Sequence, residues 1–572
     1  MASTAIDPES IPERATVGVL FRQFAKYGDR PLVHFRDGNG PWQVFTWEDM
    51  RRHVLAVASG LIDAGVKAGD CVLLMSENRI EWIYCDYAIQ SIGAITVPVY
   101  PNVSQEAVRT IANNSAATFG IASDAGIAAK LAPTRTVTMD GELAQWVEAE
   151  PKHIDEIARR LAAISPDHMC TIIYTSGTTG EPKGVELAHR NLVDIIRAAA
   201  AVHPITERDT SISWLPYAHS YGRINDVFLC LYLGMEAWIS RGPDHLAEEI
   251  ADVKPTVMNS VPRVYEKMYA AVMARVHSLS STRRSIFKWA LGVGTRFSRA
   301  EHPGAVLRAQ RRLADRLVLK NLRNTLTGGN LRFFVSGGAG LAREIEEFFW
   351  ALGVPILNGW GLTETSAGAC SNTLHAHRFL TVGRPFPGVE LKIAPDGEIM
   401  VKGPGNMLAY HKQPEATEEV LKDGWFYTGD IGEIDADGFL RITDRKKSLF
   451  KTAGGKYIAP LQIEHELLSD PLIARAVVVG EGKPYVTALI VPDWDAAKAQ
   501  GVDVEQRVQH LVDRVNGGLG HWETIKYFTL LQHDFTEDSG ELSLKLDVKR
   551  KVVAEHYSDE IEAMYAGKSK DS

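Results

Sequence analysis

The sequence predicts an α/β fold, in which a large N-terminal domain of α/β sheets contains a β-rich subdomain and is followed by a small α+β C-terminal domain. Helical patterns alternate with short apolar runs from about Phe45 to Asp124, and this alternation favours a parallel sheet. From Gly388 the chain changes to short runs separated by PDG, KDG and ADG turns, which indicate antiparallel strands. The basic run from Thr443 to Ser448 then precedes a last unit of about 125 residues, which is the size of a domain.

The individual elements follow from the spacing of apolar residues. In the first unit we expect an amphipathic helix over TWEDMRRHVLAVASGLIDAG, buried strands over CVLLMS and ITVPVY, and a second helix over SQEAVRTIANNS. The alternation resumes with HMCTIIYTSG, a strand that enters a glycine-rich turn, and with HRNLVDIIRAAAAV, a helix behind that turn. LRFFVSGGAG begins a further α/β unit. These units predict sheets covered by helices on both faces.

The segment from Ala271 to Arg332 is predicted to be helical and is unusually basic. It contains thirteen Lys or Arg residues against two acids, Glu301 and Asp315. Two interpretations stay open. The segment is either a solvated basic helix face, or a patch that meets anionic lipid or the phosphates of a cofactor.

Composition and charge exclude several classes of protein. The 572 residues are 45% hydrophobic and 23% charged, which is too apolar for a disordered chain. The formal net charge of -9 argues against a protein that coats nucleic acid, since such binding needs a surplus of Lys and Arg. The five cysteines lack CxxC or Cys/His spacing, so neither a disulfide framework nor a zinc site is indicated. Because we find no signal-peptide pattern and no run of about 18 apolar residues, we expect a cytoplasmic protein, with peripheral membrane contact still compatible.

The segment YTSGTTGEPKG, residues 174–184, is the strongest local motif. Its glycines let the backbone turn tightly, its hydroxyls can donate to oxyanions and its lysine brings positive charge, which together suit a polyphosphate. It differs from the GxxxxGK[ST] P-loop, because Glu181 and Pro182 separate Gly180 from Lys183. Taken alone, the segment is equally compatible with a polar surface turn. The residues assigned to the phosphates are Thr175, Ser176, Gly177, Thr178, Thr179, Gly180 and Lys183.

Two further segments carry side chains suited to a nucleotide. NGWGLTETSAG, residues 358–368, offers Trp360 as a stacking face for a purine and Glu364 as a hard oxygen ligand for Mg²⁺. WFYTGDIGEIDADGFLRITDRKK offers Asp430, whose carboxylate could accept both hydroxyls of a ribose, and Arg445, whose donors could reach the sugar or a phosphate. Each of these four residues also has an ordinary structural interpretation when taken alone.

Together and in this order, the three segments resemble the adenylate-forming superfamily of acyl-CoA synthetases, luciferases and carrier-protein-loading adenylation domains. The resemblance spans nearly the whole chain, and VPVYPNVSQEAV, LPYAHSYGR, VPRVYEKMY and EIEAMY look most like long-chain fatty acyl-CoA synthetases. It implies that a fatty acid carboxylate attacks the α-phosphate of Mg-ATP to give acyl-adenylate and pyrophosphate. The thiol of coenzyme A then displaces AMP. Since the substrate carboxylate is itself the nucleophile, catalysis would rest on positioning and charge stabilisation.

The resemblance also assigns roles to residues of this chain. The glycine-rich segment would hold the β- and γ-phosphates of ATP, Glu364 would bind Mg²⁺, and Asp430 with Arg445 would hold the ribose. Trp360 stands where tyrosine is more usual, which keeps a stacking face and loses the hydroxyl. His219 matches a position that flanks the acyl site, although a satisfied core histidine is an equally good interpretation. The adenine and acyl groups would be framed by Gly337, Gly338, Ala339 and Gly340, and by Asn358, Gly359, Trp360, Gly361, Leu362 and Thr363.

A mobile C-terminal domain is a further implication of the resemblance. Residues 1–446 would form the ATP- and acyl-binding domain, with the β-rich subdomain at about 388–443, and residues 447–572 would form a lid that swings about Lys447. A long solvated side chain suits a hinge because it loses no packing when the dihedrals change. In the second pose TAGGKYIAP would line the coenzyme A tunnel through Gly454, Gly455 and Lys456, where the two glycines allow close passage of the pantetheine arm. A plain turn is the alternative interpretation.

The C-terminal end departs from the family pattern. Long-chain synthetases carry a run like GELTPTLKLKRK, whose first lysine stabilises charge at the α-phosphate, and the matching run here is GELSLKLDVKRK, residues 540–551. An ungapped register puts Asp547 at that lysine's position, where an anion should repel a phosphate. Lys545 lies two residues away and faces the same side if the segment is extended, and a shifted register would make Lys549 the match. Three outcomes stay open: a slow synthetase, rescue by Lys545, or a binding protein that no longer adenylates.

The leading functional prediction is an ATP-dependent fatty acid–CoA ligase that uses ATP, Mg²⁺ and coenzyme A. A sibling enzyme that passes the same adenylate to an acyl-carrier protein would share almost every motif. The alternative from another class is a weakly active or inactive protein that binds nucleotide or acyl groups. Oxidative luciferase chemistry is the least supported reading.

Overall fold

The strands and helices of the molecule come from a computed structural model, which describes residues 6–131, 134–175, 182–300, 302–470, 472–536, 539–542 and 548–566. In chain order the strands are β1 (Pro31–Phe35), β2 (Gln43–Thr46), β3 (Cys71–Met75), β4 (Ile95–Val99), β5 (Phe119–Ala122), β6 (Arg135–Thr138), β7 (Met169–Thr175), β8 (Lys183–Ala188), β9 (Thr210–Ser213), β10 (Glu236–Ile239), β11 (Val257–Ser260), β12 (Phe333–Ser336), β13 (Ile356–Trp360), β14 (Cys370–Ser371), β15 (Arg384–Pro385), β16 (Glu390–Ile393), β17 (Glu398–Lys402), β18 (Ala409–Tyr410), β19 (Leu421–Lys422), β20 (Trp425–Ile434), β21 (Leu440–Arg445), β22 (Phe450–Lys451), β23 (Tyr457–Ile458), β24 (Ile473–Val479), β25 (Val486–Pro492) and β26 (Ile525–Leu530).

The helices cover the sheets and link successive strands. In chain order they are α1 (Thr16–Tyr27), α2 (Trp47–Asp63), α3 (Ile80–Ser91), α4 (Gln105–Ser115), α5 (Ala125–Lys130), α6 (Ala144–Glu148), α7 (Ile154–Ala162), α8 (His189–Val202), α9 (Ser220–Gly222), α10 (Leu229–Leu233), α11 (Leu246–Val253), α12 (Pro262–His277), α13 (Ser281–Ser298), α14 (Ala305–Ala314), α15 (Lys320–Thr327), α16 (Arg343–Leu352), α17 (Pro414–Val420), α18 (Pro460–Leu467), α19 (Trp494–Gln500), α20 (Val504–Asn516), α21 (Arg550–His556) and α22 (Ser558–Tyr565).

Parallel sheets form the framework of the large domain, as the alternating pattern predicted. The largest has the strand order β18-β8-β7-β4-β3-β5-β6, and its strands from β7 to β6 are parallel. A second sheet, β11-β12-β13-β14-β15, has parallel pairing among its first three strands. A third, β2-β1-β10-β9, is parallel except at β2. The α/β prediction is confirmed.

Antiparallel strands follow, again as predicted. The order β16-β17-β20-β19, with β21 paired to β20, gives an antiparallel sheet over residues 390–445. The smaller C-terminal domain contains the hairpin β22-β23 and the sheet β24-β25-β26, with helices such as α18 and α20 packed beside it. Its mixture of strands and helices is the α+β arrangement that the sequence indicated.

A strand that was not predicted follows the glycine-rich segment. This strand, β8, pairs antiparallel with β7, so that Thr175 lies opposite Lys183 and Tyr174 opposite Gly184. The helix predicted behind the segment, HRNLVDIIRAAAAV, is α8, which spans His189–Val202. The segment therefore joins the two strands of a β-hairpin. The short run KGVELA was missed because six residues with few apolar positions carry little periodic signal.

A buried ion pair lies beneath this hairpin. Arg223 and Asp86 are 1% and 0% exposed at their side chains. The Arg223 guanidinium donates through Nε to Asp86 Oδ2 at 2.8 Å and through Nη1 to Thr171 Oγ1, in β7, at 2.6 Å. Gln90 and Thr96 donate to Asp86 Oδ1 at 2.8 and 2.7 Å. Because every charged atom finds a partner, this buried pair ties β7 to α3 and to the turn after α9.

The basic segment predicted to be helical contains α13, α14 and α15, and its last turns before α15 are π-helical. Among the described helices, none combines the length and the apolar character needed to cross a bilayer.

Candidate active site

The hairpin β7-β8 places Lys183 beside a tyrosine that the sequence analysis did not single out. The Lys183 ammonium lies 4.6 Å from the centroid of the Tyr410 ring, because β18 pairs with β8. Of the predicted phosphate ligands, Thr175 ends β7 and Lys183 begins β8. The others lie outside the described residues: Ser176, Gly177, Thr178, Thr179 and Gly180.

Tyr410 connects this corner to Glu364, the predicted metal ligand. Its hydroxyl donates to Glu364 Oε1 at 2.8 Å. Burial raises the pKa of Tyr410, so the hydroxyl stays protonated and acts as a donor. The backbone of Glu364 is held by Met407 N, which donates to its carbonyl at 2.7 Å, and the neighbouring Thr363 shares a hydrogen bond of 3.0 Å with Ser220. Tyr410 therefore contacts both Glu364 and Lys183.

Trp360, Asp430 and Arg445 come together although they are far apart in sequence. Trp360 ends β13, and Asp430 in β20 lies opposite Arg445 in β21. The Trp360 indole N–H donates to Asp430 Oδ2 at 2.9 Å, and Arg445 Nε lies 3.3 Å from Asp430 Oδ1. Burial raises the pKa of Asp430, and the Arg445 charge and the indole N–H oppose that rise. The motifs predicted that Asp430 and Arg445 act together, whereas the bond from Trp360 to Asp430 was not predicted.

Glycines allow close backbone approach around these side chains. A Cβ on Gly337 would lie 3.0 Å from the Tyr221 ring, and Gly338 has φ +88°. A Cβ on Gly361 would lie 2.4 Å from Gly368 N. Each predicted framing segment therefore has a glycine at a position where a larger side chain would collide with neighbouring atoms. Ala339 belongs to the first of them, and Gly359 and Leu362 belong to the second.

Asn358, another predicted framing residue, is held by a buried carboxyl group. Its side-chain N–H donates to Glu346 Oε1 at 2.9 Å, and Leu380 N donates to Glu346 Oε2 at 3.1 Å. Burial raises the pKa of Glu346 to about 8. Sequence reasoning missed Glu346, because one acid in an amphipathic helix carries no signal of its own.

Glu346→Gln is expected to remove part of the pH dependence of stability. The folded-state pKa of Glu346 lies above its unfolded value, so its favourable contribution is complete at low pH and is lost as pH rises through about 8. Between about pH 5 and 8, wild type should lose roughly 1 kcal/mol per pH unit relative to the variant. Urea unfolding of both proteins at several pH values measures this difference, and parallel stability curves would contradict it.

His219 occupies the N-cap of α9. Its Nδ1 accepts a hydrogen bond from Tyr221 N at 3.1 Å, and the side chain is half-buried. This capping role is structural, and the predicted role beside the acyl group stays a prediction.

The predicted hinge lies between the two domains. Lys446 is paired with Asp396 and Glu398 at 2.7 and 2.8 Å, and Lys447 follows in the turn after β21. In the C-terminal domain, His465 packs so closely on Gly340 that a Cβ there would lie 2.4 Å from the imidazole Cε1. The contact between the domains thus involves α18 and the first framing loop.

The other C-terminal candidates make local contacts. Gly454, Gly455 and Lys456 belong to the hairpin β22-β23, where Gly455 has φ +75° and the Lys456 ammonium lies 5.2 Å from the Trp522 ring. Lys549 N donates to Glu541 O at 2.7 Å, just before α21. The contacts described for Lys456 and Lys549 are with residues of the C-terminal domain. Lys545 and Asp547 lie outside the described residues.

Solved structures and curated proteins resemble this chain over nearly its full length. The anthranilate CoA ligase AuaEII in complex with anthranoyl-AMP superposes with a TM-score of 0.74 at 19% identity, covering 96% of this chain and 98% of that one. O-succinylbenzoate CoA synthetase from Bacillus subtilis, in complex with ATP and magnesium ion, superposes with a TM-score of 0.71 at 20% identity, with 93% and 98% covered. These similarities show the fold.

Sequence similarity is higher to two named ligases. The long-chain-fatty-acid–CoA ligase FadD15 of Mycobacterium tuberculosis is 38% identical over 97% of this chain and 99% of its own. Long chain acyl-CoA synthetase 6, peroxisomal, of Arabidopsis thaliana is 30% identical over 95% of this chain and 84% of its own. The family model of the AMP-binding enzyme matches residues 20–411, and that of the AMP-binding enzyme C-terminal domain matches residues 448–569. With both models matched in sequence order, the chain belongs to the AMP-binding enzyme family.

Proposed function

We propose that this protein is an ATP-dependent long-chain fatty acid–CoA ligase, which forms acyl-adenylate and pyrophosphate and then acyl-CoA and AMP. The observation that carries the proposal is the convergence of Trp360, Asp430 and Arg445, which would suit the ribose and the purine of ATP. The fatty acid class rests on the names of the relatives, which are long-chain ligases over nearly the whole chain.

The residues described suit a reaction in which the substrate carboxylate is the nucleophile. Asp430 accepts the ribose hydroxyls, with Arg445 beside it, and Lys183 neutralises phosphate charge. Holding the acid and ATP together in this way replaces a bimolecular encounter by an intramolecular one. The protein supplies position and charge, and the two substrates supply the reacting atoms.

Glu364 fits a Mg²⁺ ion that is shared with ATP. One of its carboxylate oxygens accepts the Tyr410 hydroxyl, and no described residue forms a hydrogen bond with the other, which could therefore face a cation. Among the described residues, no group of three His, Cys, Asp or Glu side chains could hold a metal by itself. One carboxylate together with substrate phosphates is the donor set that Mg²⁺ commonly uses in nucleotide enzymes. When bound, Mg²⁺ would neutralise charge on the phosphates.

A panel of carboxylic acids tests the proposal, with pyrophosphate and thioester assayed separately. Long-chain fatty acids should release pyrophosphate in the presence of ATP and Mg²⁺ and give thioester when coenzyme A is added. Pyrophosphate without thioester on free coenzyme A would favour the carrier-protein acceptor. Nucleotide binding without pyrophosphate from any acid would favour a binding protein and refute the ligase.

Lys447→Pro should permit adenylate formation and block thioester formation. Proline fixes φ at the proposed hinge and so opposes domain rotation, while the adenylating pose is retained. Pyrophosphate release and thioester formation are measured on the same preparation. Equal loss of both half-reactions would indicate a folding defect or a different hinge.

Asp547→Lys is expected to accelerate the first half-reaction, because it replaces an anion by a cation at the position that the family gives to a lysine near the α-phosphate. If Lys545 already fills that role, Lys545→Ala should instead slow an initially fast wild type. Pyrophosphate release by wild type and both variants distinguishes these cases. An unchanged rate in both variants would mean that the register is wrong and that Lys549 is the better match.

We also propose that the basic helices contact an anionic membrane surface. Exposed apolar side chains accompany the exposed cations on α13, α14 and the π-helical turns after α14: Ile286, Trp289, Val306, Leu313 and Leu317. In the part of the chain that the structure describes, no carboxylate pairs with Arg308, Arg312 or Arg316. Helices that expose both cations and apolar groups suit anionic headgroups and the acyl boundary beneath them.

Vesicle binding tests this surface. Anionic vesicles should bind the protein less as salt rises, and Trp289→Ser should weaken binding. Val44→Ser, which removes an apolar side chain of similar exposure from β2, is the control. Vesicle binding that does not weaken as the salt concentration rises would contradict the proposal. An equal loss of vesicle binding in both variants would contradict it as well.

A further inference from the structure

The Asp430 carboxylate is held by two donors of different character. Asp430 as a whole is 4% exposed. Oδ1 faces Arg445 Nε at 3.3 Å, and the Arg445 side chain is 62% exposed, so solvent and salt screen this pair. Oδ2 accepts the indole N–H of Trp360 at 2.9 Å. The neutral, half-buried indole is thus the less screened of the two contacts.

Other charges near Asp430 oppose its ionised form. Glu364 and Glu398 both raise the pKa of Asp430, after burial, which is the largest cause. Glu398 is itself paired with Lys446 at 2.8 Å, which lessens its effect. The indole N–H and Arg445 are the groups that favour the carboxylate. Without the indole donor, the exposed Arg445 would be the one of these two groups that still favours the ionised carboxylate. Burial, Glu364 and Glu398 would continue to favour its protonated form.

The sheet fixes the position of the indole. Trp360 pairs with Cys370 in β14, and its carbonyl accepts from Ala369 N at 2.9 Å. Both ends of this hydrogen bond therefore belong to strands, because Trp360 lies in β13 and Asp430 lies in β20. Each carboxylate oxygen has two lone pairs, so Oδ2 can keep the indole bond while it accepts a ribose hydroxyl.

We propose that Trp360 is a positioning residue, whose indole N–H holds the Asp430 carboxylate in the orientation that receives the ribose hydroxyls of ATP. This role is separate from the stacking face that the ring offers to a purine. It rests on the proposed function, because it assumes that the nucleotide lies across Trp360 and Asp430. Phenylalanine at this position would keep a ring face and lose the donor.

The test compares two nucleotides on Trp360→Phe. Calorimetry with Mg²⁺ gives the affinity for ATP and for 2′,3′-dideoxy-ATP, which lacks both ribose hydroxyls. ATP should bind about tenfold more weakly to the variant than to wild type, the size expected for a hydrogen bond to a charged group. Dideoxy-ATP should lose about twofold or less, since its sugar makes no hydroxyl bond to Asp430. The acid limb of the ATP-binding pH profile should also move to higher pH, because the indole N–H favours the ionised carboxylate.

Trp350→Phe is the matched control. Its indole N–H donates to Ile356 O at 3.1 Å, so the variant loses the same type of donor at the start of the same strand β13. It should bind both nucleotides like wild type. If Trp360→Phe does not fold, Trp360→Tyr is measured with the same pair of nucleotides, and any loss should again be confined to ATP.

The outcomes separate this inference from the proposed function. An equal loss for both nucleotides would mean that Trp360 acts by stacking alone and would overturn the inference. Unchanged ATP affinity and an unchanged pH profile would overturn it as well. Neither result affects pyrophosphate release by wild type, whereas wild type that binds ATP but adenylates no acid would refute the ligase and leave the positioning role intact.

Discussion

Glu364→Gln is expected to reduce pyrophosphate release by about a thousandfold, because the amide removes the negative charge that would hold Mg²⁺ on ATP. The substitution keeps the size of the side chain. The Tyr410 hydroxyl can still donate to the amide oxygen, since it now donates to Glu364 Oε1 at 2.8 Å. The lower rate of pyrophosphate release should therefore result from the missing negative charge and not from a rearranged site. Initial rates at increasing Mg²⁺ measure it, and higher Mg²⁺ should restore the rate only in part.

Two further variants define what the Glu364 result means. Tyr410→Phe keeps the carboxylate and loses its hydroxyl partner, so it should cost about tenfold. Glu433→Gln changes an exposed acid of β20, three residues after Asp430, that pairs with Arg441 of β21 at 3.5 Å, and it should leave the rate unchanged. Pyrophosphate release at the wild-type rate in Glu364→Gln would remove Glu364 from the site.

Asp86→Ala is expected to destabilise the large domain by about 3–5 kcal/mol. Arg223 would remain buried without its partner, since its side chain is 1% exposed and two of its nitrogens donate to Asp86. Gln90 and Thr96 would also lose their acceptor. The free energy of unfolding in urea, with the thermal midpoint, measures the effect.

The controls separate burial from charge. Arg378→Ala breaks pairs with Asp435 and Asp437 at the surface, and it should cost far less stability than Asp86→Ala, because solvent screens these charges. Replacing the buried pair as a whole, with Asp86→Leu and Arg223→Met together, should recover part of the stability lost by Asp86→Ala. A double variant less stable than the single one would contradict the account of an uncompensated charge.

The sequence predicted elements best where one physical signal dominates. The apolar run CVLLM is a strand because it is buried along its whole length, and α2 begins after Thr46 because Thr46 and Asp49 form a capping box. The strand β8 was missed because its sequence is short and only partly apolar, and its strand conformation depends on pairing with β7 and β18.

The sequence predicted several residues of the candidate site but not the hydrogen bonds that connect them. Motif resemblance singled out Trp360, Glu364 and Asp430, since each belongs to a recognisable segment. The partners Tyr410 and Glu346 lie in segments without a motif, and only the three-dimensional structure brings them to Glu364 and Asn358. A hydrogen bond between residues 70 positions apart, like that from Trp360 to Asp430, leaves no periodic trace in the sequence.

The contact of His465 on Gly340 has a consequence for how the C-terminal domain would begin to turn. Burial, together with the Arg550 charge, lowers the pKa of His465, so the imidazole that touches the glycine is neutral at physiological pH. A gap of about 0.5–1 Å already removes a quarter to a half of the dispersion attraction between two neutral groups at contact, whereas an ion pair acts over a longer distance. If the C-terminal domain rotates about Lys447 as proposed, this contact would weaken early in the movement. It would therefore oppose the start of the rotation more than the rest of it.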